Sequence, residues 1–159
     1  MVKTPLTAPE IANLWAAYQG DTLSRCVLTH FAATAEDQDI KELLLYGLDL
    51  SNQHIARLRD FFTGEAIPVP SAFSDEDLNA EAPRLYSDSF YLGYLMNVGK
   101  QSMVIYAYSI PVTSRRDIRE YLTECLASST ELLNRSIDLL ESIQPHPPDY
   151  GCTKIARDV

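Results

Sequence analysis

The chain is short of cysteine. Cys26, Cys125 and Cys152 are the full set, an odd number with no C-x-x-C. A secreted disulfide framework usually carries an even number at short spacing, so a reducing compartment is expected. Cys26 and Cys125 fall inside apolar helical patterns, where cysteine acts as a small hydrophobe, while Cys152 follows Gly151 near the end. Glycine is scarce as well: the six are scattered, and neither G-x-G-x-x-G nor G-x-x-x-x-G-K occurs. Basic charge is in deficit, with 13 Lys and Arg against 22 Asp and Glu, a net charge of −9. That balance repels polyanions and disfavours nucleic acid or an anionic membrane as partner. No stretch approaches the ~20 apolar residues that span a bilayer. The start, Met1-Val2-Lys3-Thr4-Pro5, has no apolar signal core. A cytoplasmic protein is expected.

What is present is enough for a core. The chain has 159 residues and is 46% hydrophobic, which excludes intrinsic disorder and suits one domain. Four helical patterns fill most of it. The first runs from about Ala8 to Thr34, with Thr7 as N-cap, Pro9 in the first turn and Glu10 closing a T-x-x-E capping box. Leu14, Tyr18, Asp21, Arg25 and Leu28 make its stripe. The second runs from about Asp37 to Thr63, with Gly64 placed to end it at C′. Its seam is Ile40, Leu44, Gly47, Ser51, His54, Leu58 and Phe61, spaced by fours and threes.

A linker from Glu65 to Arg84 is broken by Pro68, Pro70 and Pro83, and Ser74-Asp75-Glu76-Asp77 reads as the start of a short helix. The third helix runs from about Ser87 to Ser109, with Phe90, Gly93, Asn97, Lys100, Val104 and Ala107 at the four-three spacing. The fourth runs from about Arg115 to Ile143, capped by Ser114 in an S-x-x-D pattern with Asp117. Its seam is Ile118, Leu122, Cys125, Ser129, Leu132, Ser136 and Leu139. No run reads as a strand.

Two helical hairpins joined by a long connection predict an all-α, four-helix, ferritin-like bundle of up-down-down-up order, with the crossover between helices 2 and 3. Residues 1–143 form the domain, and 144–159 form a Pro-rich irregular tail.

A di-iron carboxylate centre needs a Glu from each of two helices and Glu-x-x-His from each of the other two, because residues i and i+3 reach one metal pair from one helix face. The sequence fails that test. His54 follows Ser51 rather than a Glu at that spacing, the fourth helix has no His, His30 ends the first helix and His146 lies in the tail. No metal or cofactor is expected. A polar remnant survives in Asp21, Arg25, His54 and Glu131. The antiparallel hairpin can bring Asp21 and His54 to one height, and Glu124, Ser128 and Glu131 share a face of the fourth helix. Three readings stay open: a buried network satisfying itself through Asp21–Arg25 or Asp21–His54, a mid-bundle site for a small ligand or single metal, or a rim at which Arg25 and His54 meet water.

Nucleophilic catalysis has little support, since there is no G-x-S-x-G and no Cys-His signature, although a Cys26–His54 approach in space is conceivable. Arg115-Arg116 reads as a solvated pair or as a partner for the acidic linker. The aromatic start of the third helix, with Tyr86, Phe90, Tyr91 and Tyr94, is more than one core easily buries and points to a subunit interface.

These residues resemble a ferritin-like family of spore-forming bacteria, a domain of unknown function (3231) labelled as spore coat protein and similar to coat protein F. The resemblance rests on Leu14-Trp15-x-x-Tyr18 with Asp21, on Cys26-Val27-Leu28 and on Leu50-Ser51-x-x-His54-Ile55. It continues through Phe73-Ser74-Asp75-Glu76-Asp77-Leu78-Asn79, Ala82-Pro83-Arg84-Leu85, Asp88, Arg116-Asp117 and Thr130-Glu131-Leu132. It spans about Leu6 to Ile143. The resemblance implies the same bundle, no established activity, a homodimer supplying a second unit, other coat-type proteins as partners and association with the spore. The expected function is structural or interactive rather than enzymatic. The alternative is a metal-dependent or small-ligand-binding bundle with a degenerate ferritin-type site.

Overall fold

A computed structural model describes residues 4–143. The expected irregular tail 144–159, with His146 and Cys152, lies outside the described residues. Four helices carry the fold: α1 (Ala8–Thr34), α2 (Gln38–Gly64), α3 (Asp88–Ser109) and α4 (Arg116–Ile143), with a single 3-10 turn at Asp75–Asp77 in the crossover. There is no strand among the described residues.

Local chemistry sets the helix starts. Thr7 and Glu10 form the reciprocal capping box of α1, Asp37 accepts the N–H of Ile40 at the start of α2, and Ser87 accepts that of Phe90 at the start of α3. Two ends depart from the sequence reading. Gly64 is the last helical residue of α2, and the left-handed C′ position falls to Ala66, with φ 55°. Ala66 N–H donates to Thr63 O at 3.1 Å and Ile67 N–H to Phe62 O at 2.9 Å, a Schellman pair. At α4, the N–H groups of Ser114 and Arg115 both donate to Glu10 Oε1 at 2.8 Å. The start of α4 is thus held by a carboxylate from α1, beyond the expected local S-x-x-D pattern.

The core has two halves, and they give the topology. One gathers Leu14 and Tyr18 from α1, Ile55, Leu58, Phe61 and Phe62 from α2, Tyr106 from α3, and Ile118, Tyr121, Leu122 and Cys125 from α4. The other gathers Leu28 and Phe31, Ile40, Leu43 and Leu44, Tyr91, Leu92 and Leu95, and Leu132. Each helix runs from one half to the other, and the order is up, down, down, up. The crossover therefore returns along the length of the bundle. It lies on α1, where Gln19 Nε2 donates to Ser71 O, Cys26 Sγ to Ser74 O and Arg25 to Asp75.

The predicted seams of α2 and α4 are the buried faces. That of α3 is not: Phe90, Gly93, Asn97, Lys100, Val104 and Ala107 are exposed, while Tyr91, Leu92, Leu95, Gly99, Tyr106 and Ser109 face inward. The aromatic cluster at the start of α3 is divided: Tyr91 is buried and Tyr94 half-buried, while Tyr86 and Phe90 stay exposed. Phe31 stacks on Tyr91 at 4.2 Å between ring centroids and meets Tyr94, Phe90 and Tyr86 edge-on. Arg115 is buried between Asp117 and Glu65, the first residue after α2, whereas Arg116 is exposed and pairs with Glu120. Cys26 and Cys125 are free and buried, as their apolar settings suggested.

Candidate functional site

About midway along the bundle a cleft of about 250 Å³ lies between α1 and α3. It exists because the facing side chains are small. Ala16, Ala17, Gly20 and Ser24 of α1 cannot fill the space to α3, whereas Gly47 of α2 is closely packed, a Cβ there standing 3.0 Å from Leu95 Cδ1. The walls are mainly apolar, with Leu28, Leu50, Ile105 and Leu132. Asp21 and His54 are the charged groups among the lining residues.

Of the four site residues read from the sequence, the structure joins two. Asp21 Oδ1 lies 3.3 Å from His54 Nδ1, both side chains being nearly buried. Arg25 turns outward to Asp75 of the crossover at 3.2 Å. Glu131 is exposed on α4 and accepts from Arg135 Nε, one turn along, at 2.7 Å. Neither belongs to the polar centre. The cysteine beside His54 is Cys125 rather than Cys26, and Ser128 approaches the other ring nitrogen, with Oγ 3.5 Å from Nε2. Tyr106 and Tyr121 close on the imidazole edge-on, at 6.2 and 6.3 Å between centroids.

The charge state follows from this packing. Burial alone lowers the His54 pKa; the hydrogen bond it donates to Asp21, the neighbouring Cys125 side chain and the Asp21 charge outweigh it and raise the pKa to about 10. Burial pushes the Asp21 carboxyl up, and His54 draws it only partly back. The pair binds its proton tightly, and we assign it as imidazolium with carboxylate. Both ring nitrogens then donate, Nδ1 to Asp21 and Nε2 to Ser128, while Ser128 Oγ donates to Cys125 O at 3.0 Å.

The Asp21–His54–Ser128 order imitates a hydrolytic triad, but the chemistry is missing. A protonated imidazole cannot take the serine proton, and the Ser128 hydrogen is already given to a helix carbonyl. Ser128 also sits in the middle of α4, where the backbone N–H groups are used by the helix and offer no oxyanion hole. Among the described residues no three His, Cys, Asp or Glu side chains gather as a metal site. No helix among them is long and apolar enough to cross a membrane.

Residues 1–144 match DUF3231, a protein of unknown function. The chain belongs to the DUF3231 family. Among solved structures, this DUF3231 chain is similar to a putative spore coat protein from Bacillus halodurans C-125, at 14% identity and TM-score 0.81, covering 91% of this chain and 94% of that one. It is also similar to a DUF305 fragment from Deinococcus radiodurans, at 8% identity and TM-score 0.73, covering 87% and 99%. A third is a conserved hypothetical protein from Mycobacterium tuberculosis, at 11% identity and TM-score 0.71, covering 84% and 91%. At these identities the likeness speaks for the fold alone. No curated protein matches the chain.

Sequence reading placed Ser128 on the polar face of α4 without pairing it with His54, and it missed Cys125 as a neighbour of that ring, although the two lie on α4 at i and i+3. It also missed Glu10 as more than a local cap, for which the sequence carries no signal.

Proposed function

We propose that this DUF3231 protein is a non-catalytic structural or interaction protein that self-associates as a homodimer through α3 and works in a spore-coat setting with other coat-type proteins. The observation that carries the reading is the outer face of α3. Val104 and Tyr108 are 67% and 70% exposed, Ile105 is half exposed, and Leu23 of α1 lies exposed across the cleft. The helix has only two charged side chains, Asp88 in its first turn and Lys100. A helix apolar all round is ordinarily covered on every side, and a contiguous exposed apolar patch marks an interaction surface. A face whose one charge is the basic Lys100 also lets two copies with net charge −9 meet without bringing their acidic groups together. The spore-coat setting draws its support from the resemblance to the B. halodurans protein.

The test is sedimentation equilibrium and light scattering on the full chain. A dimer is expected, and Val104→Asp or Tyr108→Asp should return a monomer with unchanged circular dichroism. A strict monomer at high concentration would sink the proposal.

A second reading is favoured by the cleft itself. A mid-bundle cavity with a buried carboxylate suits a small-ligand-binding bundle, the degenerate ferritin-type site of the alternative above.

A further inference from the structure

Asp21 has two carboxylate oxygens and only one is used. Oδ1 meets His54, whereas Oδ2 is buried with no hydrogen-bond partner. Buried polar atoms are nearly always satisfied, and an ionised oxygen left without a donor is costly. Asp21 also lines the cleft between α1 and α3. A missing donor and an open volume therefore occur at the same residue, and a small rotation of the carboxylate is what opens the buried Oδ2 to the cleft.

We propose that the cleft binds a small, neutral organic molecule with one hydroxyl, which donates to Asp21 Oδ2 while its apolar body lies among Leu28, Leu50, Ile105 and Leu132. This rests on the ligand-binding reading, and the cleft shares Leu23 and Ile105 with the face proposed for self-association. Size follows from volume: a dry cavity of about 150 Å³ takes benzene, so about 250 Å³ takes one ring with a short substituent. Neutrality follows from the charges facing the site. Asp21 from α1 is balanced by His54 from α2, and the titratable groups that α3 adds are the phenols Tyr94 and Tyr106. A ligand cation would meet the imidazolium, and a ligand anion would meet the carboxylate. An alcohol or phenol meets neither penalty and supplies the absent donor.

Three near-isosteric probes test this: benzyl alcohol, toluene and benzylamine, titrated into the full chain by calorimetry and ligand-observed NMR. Benzyl alcohol should bind one per chain and about tenfold or more tighter than toluene, the advantage of a hydrogen bond to a charged group. Benzylamine should bind more weakly than the alcohol. Asp21→Ala should bring the alcohol to parity with toluene. Gly20→Met should abolish binding of all three, since a Cβ at Gly20 meets nothing within 4 Å and the longer side chain enters the cleft from a folded helix. If Asp21→Ala fails to fold, the alcohol-to-toluene ratio and Gly20→Met decide alone.

Equal binding of alcohol and toluene, or tighter binding of the amine, overturns the ligand class while leaving a binding site. Binding that survives Gly20→Met, or no binding of any probe, overturns the site itself. The same titration on Val104→Asp separates a failure of binding from a failure of self-association.

Discussion

Asp21 of α1 and His54 of α2 are locked as one charged unit, with Oδ1 and Nδ1 3.3 Å apart in the middle of the hairpin. Its proton makes stability depend on pH. The folded-state pKa of His54, about 10, lies above its unfolded value of 6.5. A group raised by folding gives its full stabilisation below the unfolded pKa and loses it as pH climbs through the folded one. The raised pKa of Asp21 has the same sign at lower pH. Unfolding free energy should therefore fall between pH 6.5 and about 10 by an amount on the scale of a few kcal/mol. Urea denaturation at pH 6, 8 and 10 reads this directly. His54→Gln should flatten the profile over that window, and an unchanged slope in that variant would show that the proton sits elsewhere.

The hairpin pair was legible because antiparallel geometry alone brings Asp21 and His54 level. Arg25 and Glu131 were misplaced for two different reasons. Arg25 answers to Asp75 in a crossover whose path no periodicity reveals, and Glu131 answers to Arg135 one turn along its own helix. The seams of α2 and α4 could be read because both helices are strongly two-faced, with charge on the outside. In α3 the four-three spacing could be drawn through the wrong face, since Val104, Ile105 and Tyr108 are as apolar as Tyr91, Leu92 and Leu95. Periodicity fixes orientation only where the other face is polar.

Glu10 ties the two ends of the chain order together. Its buried carboxylate accepts from Thr7 N and Oγ1 at 2.7 Å and from Ser114 N and Arg115 N at 2.8 Å. Burial alone would raise its pKa, but these hydrogen bonds prevail and hold it below the usual value of 4.5. Glu10→Ala should cost about 3 kcal/mol, since it strands donors from two helix starts. Glu10→Gln should cost less, because one amide oxygen still accepts. With a depressed folded pKa, the contribution is present above the unfolded pKa and is lost as pH falls through the folded one. Acid titration of wild type against Glu10→Gln, followed by circular dichroism, should show a shallower acid transition in the variant.

Ala66 occupies a backbone conformation that suits glycine. At φ 55° its Cβ crowds the following carbonyl, which costs an L-residue roughly 1–2 kcal/mol. The Schellman bonds to Thr63 and Phe62 hold it there regardless. Ala66→Gly removes the strain but gives the unfolded chain more freedom, so the net gain should be about 0.5–1 kcal/mol. An unchanged or lower denaturation midpoint would mean that the α2 end relaxes without it.

Two mid-helix glycines should respond to alanine in opposite directions. A Cβ at Gly20 meets nothing within 4 Å, so Gly20→Ala should add the helix-propensity gain of about 0.8–1 kcal/mol. At Gly99 the same atom would stand 3.3 Å from Leu133 Cβ and 3.5 Å from Leu133 Cα and N. That neighbour is the backbone of α4 and cannot swing aside as a side-chain tip could. Accommodation requires α3 to move off α4, and overpacking of this kind costs about 1–3 kcal/mol, which exceeds the propensity gain. Gly99→Ala should therefore lower the denaturation midpoint while Gly20→Ala raises it. Equal shifts in both variants would mean that propensity alone governs the two sites and that α3 and α4 are not in close backbone contact.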